Sequence, residues 1–158
     1  MRNSLKNQNI FLRVRRVELG DKTRWSELWD EYCRFYERAS SEETTQYLWS
    51  RVMNSEFPVF SIVAEDENNL ILGIANYILH ENTSTLTPVC YLQDLFVDPK
   101  MRGFGIGGKI IDWLLLEVKM QNWSRLYWHT KENNYRAREL YDKYNSHSGF
   151  LLYKVLPS

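Results

Sequence analysis

One stretch of the sequence, residues 102–109, has the residue types and spacing of an anion-binding loop. It reads RGFGIGGK and lies between an apolar, strand-like segment and an amphipathic, helix-like segment. Glycines that open a helix leave backbone N–H groups available, and the positive end of the helix dipole points towards whatever lies in front of them. The stretch is therefore a candidate phosphate site.

Two familiar nucleotide motifs match this loop only in part. The spacing Gly103-x-Gly105-x-x-Gly108 fits the dinucleotide fingerprint, but that motif opens a parallel sheet and needs an acidic residue about 20 positions later, where this chain has Asn122 and Trp123. We therefore reject a dinucleotide site.

The P-loop is the second partial match, because Gly103 to Gly108 is followed by Lys109. The next residue is Ile110, where a P-loop has the hydroxyl that binds magnesium, which disfavours nucleotide hydrolysis. A third interpretation takes Arg102-x-x-Gly105-x-Gly107 as a loop for the pyrophosphate of coenzyme A. In it, small residues let the phosphates reach the backbone and Arg102 adds positive charge.

Hydrophobic periodicity predicts the elements that must position the loop, in the order β α α β β β α β α β. The strands are expected at 10–17, 58–64, 70–79, 88–97, 124–129 and 149–155, and the helices at 22–39, 41–53, 107–121 and 132–144. This order predicts a mixed α/β sheet with flanking helices. We expect one domain over residues 1–158, with residues 1–9 as a flexible tail.

Composition excludes several classes of protein. The chain has 158 residues, 44% of them hydrophobic, and a formal net charge of zero, which argues against intrinsic disorder and against a dedicated nucleic-acid binder. Cys33 and Cys90 are far apart, so neither a zinc site nor a disulfide is expected. No apolar run is long enough for a membrane helix, and we expect a cytoplasmic protein without a metal or a membrane partner.

Two motifs together resemble the GNAT superfamily of N-acetyltransferases. The first is DLFVDP at 94–99 running into RGFGIG at 102–107, and the second is NYRARELY at 134–141, which is similar to N-x-x-A-x-x-L-Y. The aromatic helix at 25–36 resembles the branch of small dimeric histone, polyamine and amino-acid acetyltransferases. The resemblance implies a mostly antiparallel sheet with a splayed central pair of parallel strands.

The same resemblance implies a reaction and its partners. Acetyl-CoA would donate its acetyl group directly to the primary amine of a polyamine, an amino acid or a protein lysine, and the enzyme would be a homodimer. The alternative from another class is a non-catalytic acyl-CoA-binding sensor. An excess of acidic residues at 17–69 and of basic residues after 98 suggests separate amine and phosphate sides.

Site residues carry over from the motifs. Tyr141 is the expected general acid that protonates the departing thiolate, and Asn134 is expected to bind the pantetheine, with a helix N-cap as its alternative role. The remaining contacts to acetyl-CoA are expected from Leu95, Phe96, Val97, Arg102, Gly103, Phe104, Gly105, Ile106, Gly107 and Gly108.

The acceptor side is less determined by the motifs. Relatives often have a Glu at the position of Gln93, and a glutamine cannot act as a base, so Asp94, Glu132 or a water relay is left to take the amine proton. Of these we select Asp94 as the catalytic candidate. Gln93, Tyr32 and Tyr36 are expected to line the acceptor site.

Overall fold

The structure is a computed structural model that describes residues 11–157, so the expected tail at 1–9 lies outside the described residues. The described strands are β1 (Arg13–Arg16), β2 (Val59–Glu65), β3 (Ile71–His80), β4 (Val89–Val97) and β5 (Leu126–Tyr127). The α-helices are α1 (Lys22–Phe35), α2 (Glu42–Val52), α3 (Ile106–Met120) and α4 (Tyr135–Tyr141). The chain divides after Trp128 into two compact units.

The first unit is built on one sheet with the strand order β1-β2-β3-β4-β5. The first four strands pair antiparallel, whereas β4 and β5 run parallel and are joined through α3. A mostly antiparallel sheet that ends in one parallel pair, flanked by helices, confirms the predicted fold class.

Aromatic side chains fix α1 on one face of this sheet. Trp25 and Trp29 are stacked with ring centroids 5.9 Å apart, and Trp49 of α2 packs 5.1 Å from Trp25. The indole N–H of Trp25 donates a 2.8 Å hydrogen bond to the buried hydroxyl of Ser61 on β2. Burying three indoles excludes a large apolar area from water and holds α1 and α2 against the sheet.

A buried carboxylate joins the edge strand β1 to its neighbour β2. Glu65 is fully buried and accepts hydrogen bonds from Arg13 Nε at 2.6 Å and from Arg15 Nη2 at 2.7 Å. Arg15 also pairs with Asp21, which precedes α1, at 2.7 Å. Burial alone raises the pKa of Glu65, but the hydrogen bonds from Arg15 and Arg13 outweigh it and the pKa is lowered.

The predicted last strand at 149–155 is wrong. Residues 146–157 carry no regular secondary structure, and the described part of the second unit has α4 as its regular element. A strand exists only where a neighbouring strand accepts and donates its backbone hydrogen bonds. Apolar residues at 150–156 supply the pattern, but residues 129–157 of their own unit contain no strand to pair with.

Candidate active site

The glycine loop connects β4 to α3 through one short turn. A single turn of 3-10 helix, Pro99–Met101, is capped by Asp98, whose side chain accepts from the N–H of Lys100. Gly103 and Gly105 then adopt φ values of 94° and 79°, a region that glycine enters at little cost. Gly105 is the N-cap of α3, so the N–H groups of its first turn lie at the end of the loop.

Close packing against β3 holds the loop in place. A Cβ at Gly73 would lie 3.1 Å from the carbonyl oxygen of Phe96 and 3.1 Å from Ile106, the first residue of α3. A Cβ at Gly105, in contrast, would meet no described atom within 4 Å. The loop is therefore packed on its inner side and open at Gly105, which fits an approach of phosphate to the backbone.

Arg102 lies between two aromatic rings on the α1 side of the loop. Its guanidinium carbon is 5.2 Å from the ring centroid of Phe35 and 5.4 Å from that of Phe96, and its Nε donates to the carbonyl of Val97 at 3.3 Å. The charge of this loop residue thus stands beside the C-terminal end of α1.

The parallel strands separate next to the loop. β5 pairs with β4 only at Cys90–Leu126 and Tyr91–Tyr127, so β4 has no described strand on that side from Leu92 to Val97. The predicted splay is therefore present, and Leu95, Phe96 and Val97 lie on the separated part of β4. Backbone groups at such an edge are open to a ligand.

A bulge lies at the start of the separated part of β4. Asn76 pairs with Asp94 while its neighbour Tyr77 pairs with Leu92, so Gln93 is the extra residue of β4. Bulges redirect side chains and are common beside active sites. Gln93 itself is half-buried.

Asp94, directly after the bulge, is the centre of a polar network. It is 5% exposed and accepts from Arg38 Nη1 at 2.8 Å and from Asn76 Nδ2 at 3.1 Å. Burial, and then the negative charge of the nearby Asp94, raise the pKa of the Tyr32 phenol. Neither Arg38 nor Asn76 is marked by any sequence motif, because only the fold brings α1 onto β4.

The two tyrosines expected to line the acceptor site differ in exposure. Tyr32 is 8% exposed and packs on Trp29, with centroids 5.3 Å apart, so it belongs largely to the core. Tyr36 is half-buried, and its ring centroid is 4.8 Å from that of Tyr32.

The second unit carries the other motif. Asn134 is the N-cap residue of α4 and makes no side-chain capping hydrogen bond, and Tyr141 is the last residue of this helix. Seven residues of helix correspond to about two turns, which places Asn134 and Tyr141 on roughly the same face. Both side chains are half-buried.

The described residues do not form a metal site or a membrane-spanning helix. Residues 11–157 contain no group of three or more His, Cys, Asp or Glu side chains that could hold a metal ion. None of the described helices is long and apolar enough to cross a membrane. Cys33 and Cys90 are unbridged and buried, and burial raises the pKa of Cys90 to about 12.

Solved structures share this architecture. A probable acetyltransferase covers 92% of this chain with a TM-score of 0.81 and 19% identity, and 98% of that protein is matched. The aminoglycoside acetyltransferase AAC(6')-Iy, in complex with a bisubstrate analogue of CoA and acetylneamine, covers 94% of this chain with a TM-score of 0.80 and 12% identity, and 99% of it is matched. At these identities the likeness shows the fold alone.

The sequence agrees with the fold. The model of the acetyltransferase (GNAT) family matches residues 25–145, and this chain belongs to that family. It is an acetyl-CoA-dependent N-acetyltransferase, as the motifs predict. The D-amino-acid N-acetyltransferase HPA3 of Saccharomyces cerevisiae is 28% identical, and the alignment covers 89% of this chain and 88% of that protein.

Proposed function

We propose that this enzyme acetylates the primary amine of a free amino acid by direct transfer from acetyl-CoA. One observation supports acetyl transfer from CoA above all. Gly105, at the start of α3, has a left-handed φ and open space in front of it, and the loop that contains it follows the separated part of β4. Similarity to a yeast D-amino-acid N-acetyltransferase supports the acceptor class. Polyamines and protein lysines are the other acceptors to be tested.

In this proposal the first unit binds the cosubstrate. Acetyl-CoA, when bound, supplies the acetyl group as a thioester. The backbone at Leu95, Phe96 and Val97 receives the pantetheine and thioester, and one N–H there stabilises negative charge that develops on the carbonyl oxygen. A single donor of this kind contributes about 2.7–4 kcal/mol in other enzymes. The pyrophosphate contacts are Arg102, Gly103, Phe104, Gly105, Ile106, Gly107 and Gly108.

Proton transfers are assigned to three further residues. Tyr141 gives its proton to the departing thiolate, and Asn134 hydrogen-bonds the pantetheine. Asp94 takes the amine proton, and because only 5% of this residue is exposed, a water molecule must carry the proton to it. We place Gln93, Tyr32 and Tyr36 around the acceptor.

Replacement of Tyr141 tests whether this residue is the general acid and whether the protein is a catalyst. Tyr141→Phe should lower kcat roughly 10²- to 10⁴-fold while the Kd for CoA stays constant, because general acid catalysis typically contributes this much. Tyr135→Phe, which removes a 71% exposed phenol from the same helix, is the matched control and should keep its activity. Unchanged turnover of Tyr141→Phe at every pH would remove the assignment.

The acceptor is tested by thiol release from acetyl-CoA. The panel contains D- and L-amino acids, spermidine, an aminoglycoside and lysine peptides. We expect the highest kcat/KM with an amino acid. Binding of acetyl-CoA without turnover of any amine would favour the sensor alternative.

We also propose a homodimer in the cytoplasm. Phe150 and Val155 are 92% and 91% exposed in a segment with several exposed apolar side chains, and such surface commonly marks a protein interface. Light scattering should give a dimer, and Leu152→Lys combined with Val155→Lys should shift it to the monomer. The location is supported by the supply of acetyl-CoA inside cells and is checked by cell fractionation.

A further inference from the structure

The chain immediately after α1 holds Arg38 in a defined position. Glu37 has a φ of 50°, and the N–H of Glu37 donates to the carbonyl of Arg34 at 3.2 Å. The N–H of Arg38 donates to the carbonyl of Cys33 at 2.9 Å. These two bonds and the left-handed residue form a Schellman motif, which usually places glycine where this chain has Glu37. A non-glycine residue in this region is strained, and such strain is often found at functional sites.

Two side chains then orient the guanidinium of Arg38. Its Nη1 donates to Asp94 at 2.8 Å, and its central carbon lies 5.5 Å from the ring centroid of Trp29. Asp94 and Trp29 are both buried, at 5% and 6% exposure, so the two contacts are made to fixed groups. Arg38 is therefore oriented before any ligand binds.

Most of the hydrogen-bonding capacity of Arg38 is open. A guanidinium has five N–H donors, and the bond to Asp94 is the one side-chain hydrogen bond of Arg38 found within residues 11–157. Its side chain is 44% exposed. Planar pairs of N–H groups on an arginine match the two oxygens of a carboxylate.

The position of Arg38 suits a short acceptor. Its partner Asp94 lies on the part of β4 that is separated from β5, and it directly precedes Leu95, where the thioester is proposed to lie. An α-amino acid carries its amine and its carboxylate on the same carbon. A receptor for that carboxylate must therefore stand close to the thioester, and the bond to Asp94 brings Arg38 to the residue beside Leu95.

Two acidic residues of α1 have basic residues nearby. Glu27 pairs with Arg24 at 3.0 Å, and Asp30 lies in a groove of about 550 Å³ between α1 and α2, together with Lys22 and Arg34. Near the separated strands, Asp94 is paired with a cation. This arrangement suits an acceptor that carries a negative group better than a polycation.

We propose that Arg38 binds the carboxylate of the acceptor amino acid and thereby determines the acceptor class. The inference rests on the proposed function, since it assumes acetyl transfer at the separated strands. Asp94 and Trp29 hold the guanidinium, and its remaining N–H groups bind the two carboxylate oxygens while the amine faces the thioester.

The test compares acceptors that differ only at the carboxylate. We would measure kcat/KM for alanine and for alaninamide and take their ratio for each enzyme; the intrinsic reactivity of the two amines cancels when ratios of different enzymes are compared. Arg38→Gln should lower the alanine-to-alaninamide ratio roughly 10- to 100-fold, since it removes two hydrogen bonds to a charged group. Arg34→Gln removes the same charge one turn earlier on α1 and should leave the ratio unchanged.

Arg38→Lys is a second variant that keeps the inference testable if Arg38→Gln does not fold. Lysine keeps a cation beside the buried Asp94, so this variant should fold, but an ammonium cannot form the planar pair of bonds, and the ratio should fall roughly 3- to 10-fold. If the alanine-to-alaninamide ratio of Arg38→Gln stays within twofold of the wild type, the inference is overturned while the proposed function stands. If Arg38→Gln does not fold, the same criterion applies to Arg38→Lys. Failure of the wild type to acetylate any amine would instead overturn the proposed function, and the inference with it.

Discussion

Gly105 offers a direct test of whether the loop binds phosphate through its backbone. A residue other than glycine in the left-handed region costs about 1–2 kcal/mol. The reduced freedom of the unfolded chain offsets about 0.4–1 kcal/mol of this. A Cβ at Gly105 would meet no described atom within 4 Å, so there is no steric contribution. Gly105→Ala should therefore destabilise the fold by about 1 kcal/mol, which corresponds to roughly 2–4 °C in Tm for a chain of this size.

The expected effect on binding is larger than the effect on stability. If the pyrophosphate approaches the backbone at Gly105, a methyl group there is forced into the ligand, and overpacking of this kind costs about 1–3 kcal/mol. The Kd for CoA should then rise roughly 5- to 150-fold. Calorimetric titration with CoA measures the Kd, and thermal unfolding without ligand measures the stability.

Gly149 provides a matched control for Gly105. It has the same φ of 79°, and a Cβ there would also meet no described atom within 4 Å. Gly149→Ala should carry at most the same strain and leave the Kd for CoA unchanged. An unchanged Kd in Gly105→Ala, or an equal rise in both variants, would refute the placement of the phosphates.

Three further predictions concern the scaffold. Glu65→Gln should lower the free energy of unfolding by about 1–3 kcal/mol at pH 7, because the bonds from Arg13 and Arg15 to a buried carboxylate become bonds to a neutral amide, while Arg15 keeps Asp21. Since the pKa of folded Glu65 lies below its ordinary value of 4.5, this stabilisation is present above that value and is lost as the pH falls further, so denaturant unfolding of the two proteins should converge in acid. Gly73→Ala should cost about 1–3 kcal/mol and also weaken CoA binding, because its Cβ would press on Ile106 at 3.1 Å; a loss of stability with unchanged affinity would contradict this. Cys90 is fully buried and should react with a thiol reagent only after unfolding, so rapid labelling of the native enzyme would count against its burial.

Local patterns predicted most of the elements because they depend on neighbours in sequence. The aromatic periodicity from Trp25 predicts α1, and the helix begins at Lys22 as expected. It ends at Phe35 instead of Ala39, because Glu37 turns into the left-handed region. Periodicity does not report this stop, since the apolar pattern continues to Tyr36 and glycine, the usual signal, is absent.

Features that depend on pairing between distant segments could not be predicted from local sequence patterns. The glycine loop was predictable because its residues and its helix are contiguous in sequence. Its motif also indicated the protein family. The bulge at Gln93 arises only when β4 is set against β3, with Asn76 opposite Asp94 and Tyr77 opposite Leu92. The last strand failed for the same reason, since its pattern holds no information about a partner.

Charge summed along segments does not by itself identify the acceptor side. The acidic excess of residues 17–69 suggested that the first helices attract a cation, but several of these acids have cations of their own in the fold, as Glu27 has Arg24 and Glu65 has Arg15. Pairing weakens the long-range field of a charge, and salt screens what is left within about 10 Å, so a ligand is recognised mainly through hydrogen-bond donors that the pair leaves open. In the proposed recognition of the acceptor carboxylate, selectivity depends on a cation that is oriented by its partner and still has open donors, and Arg38 on Asp94 meets both conditions.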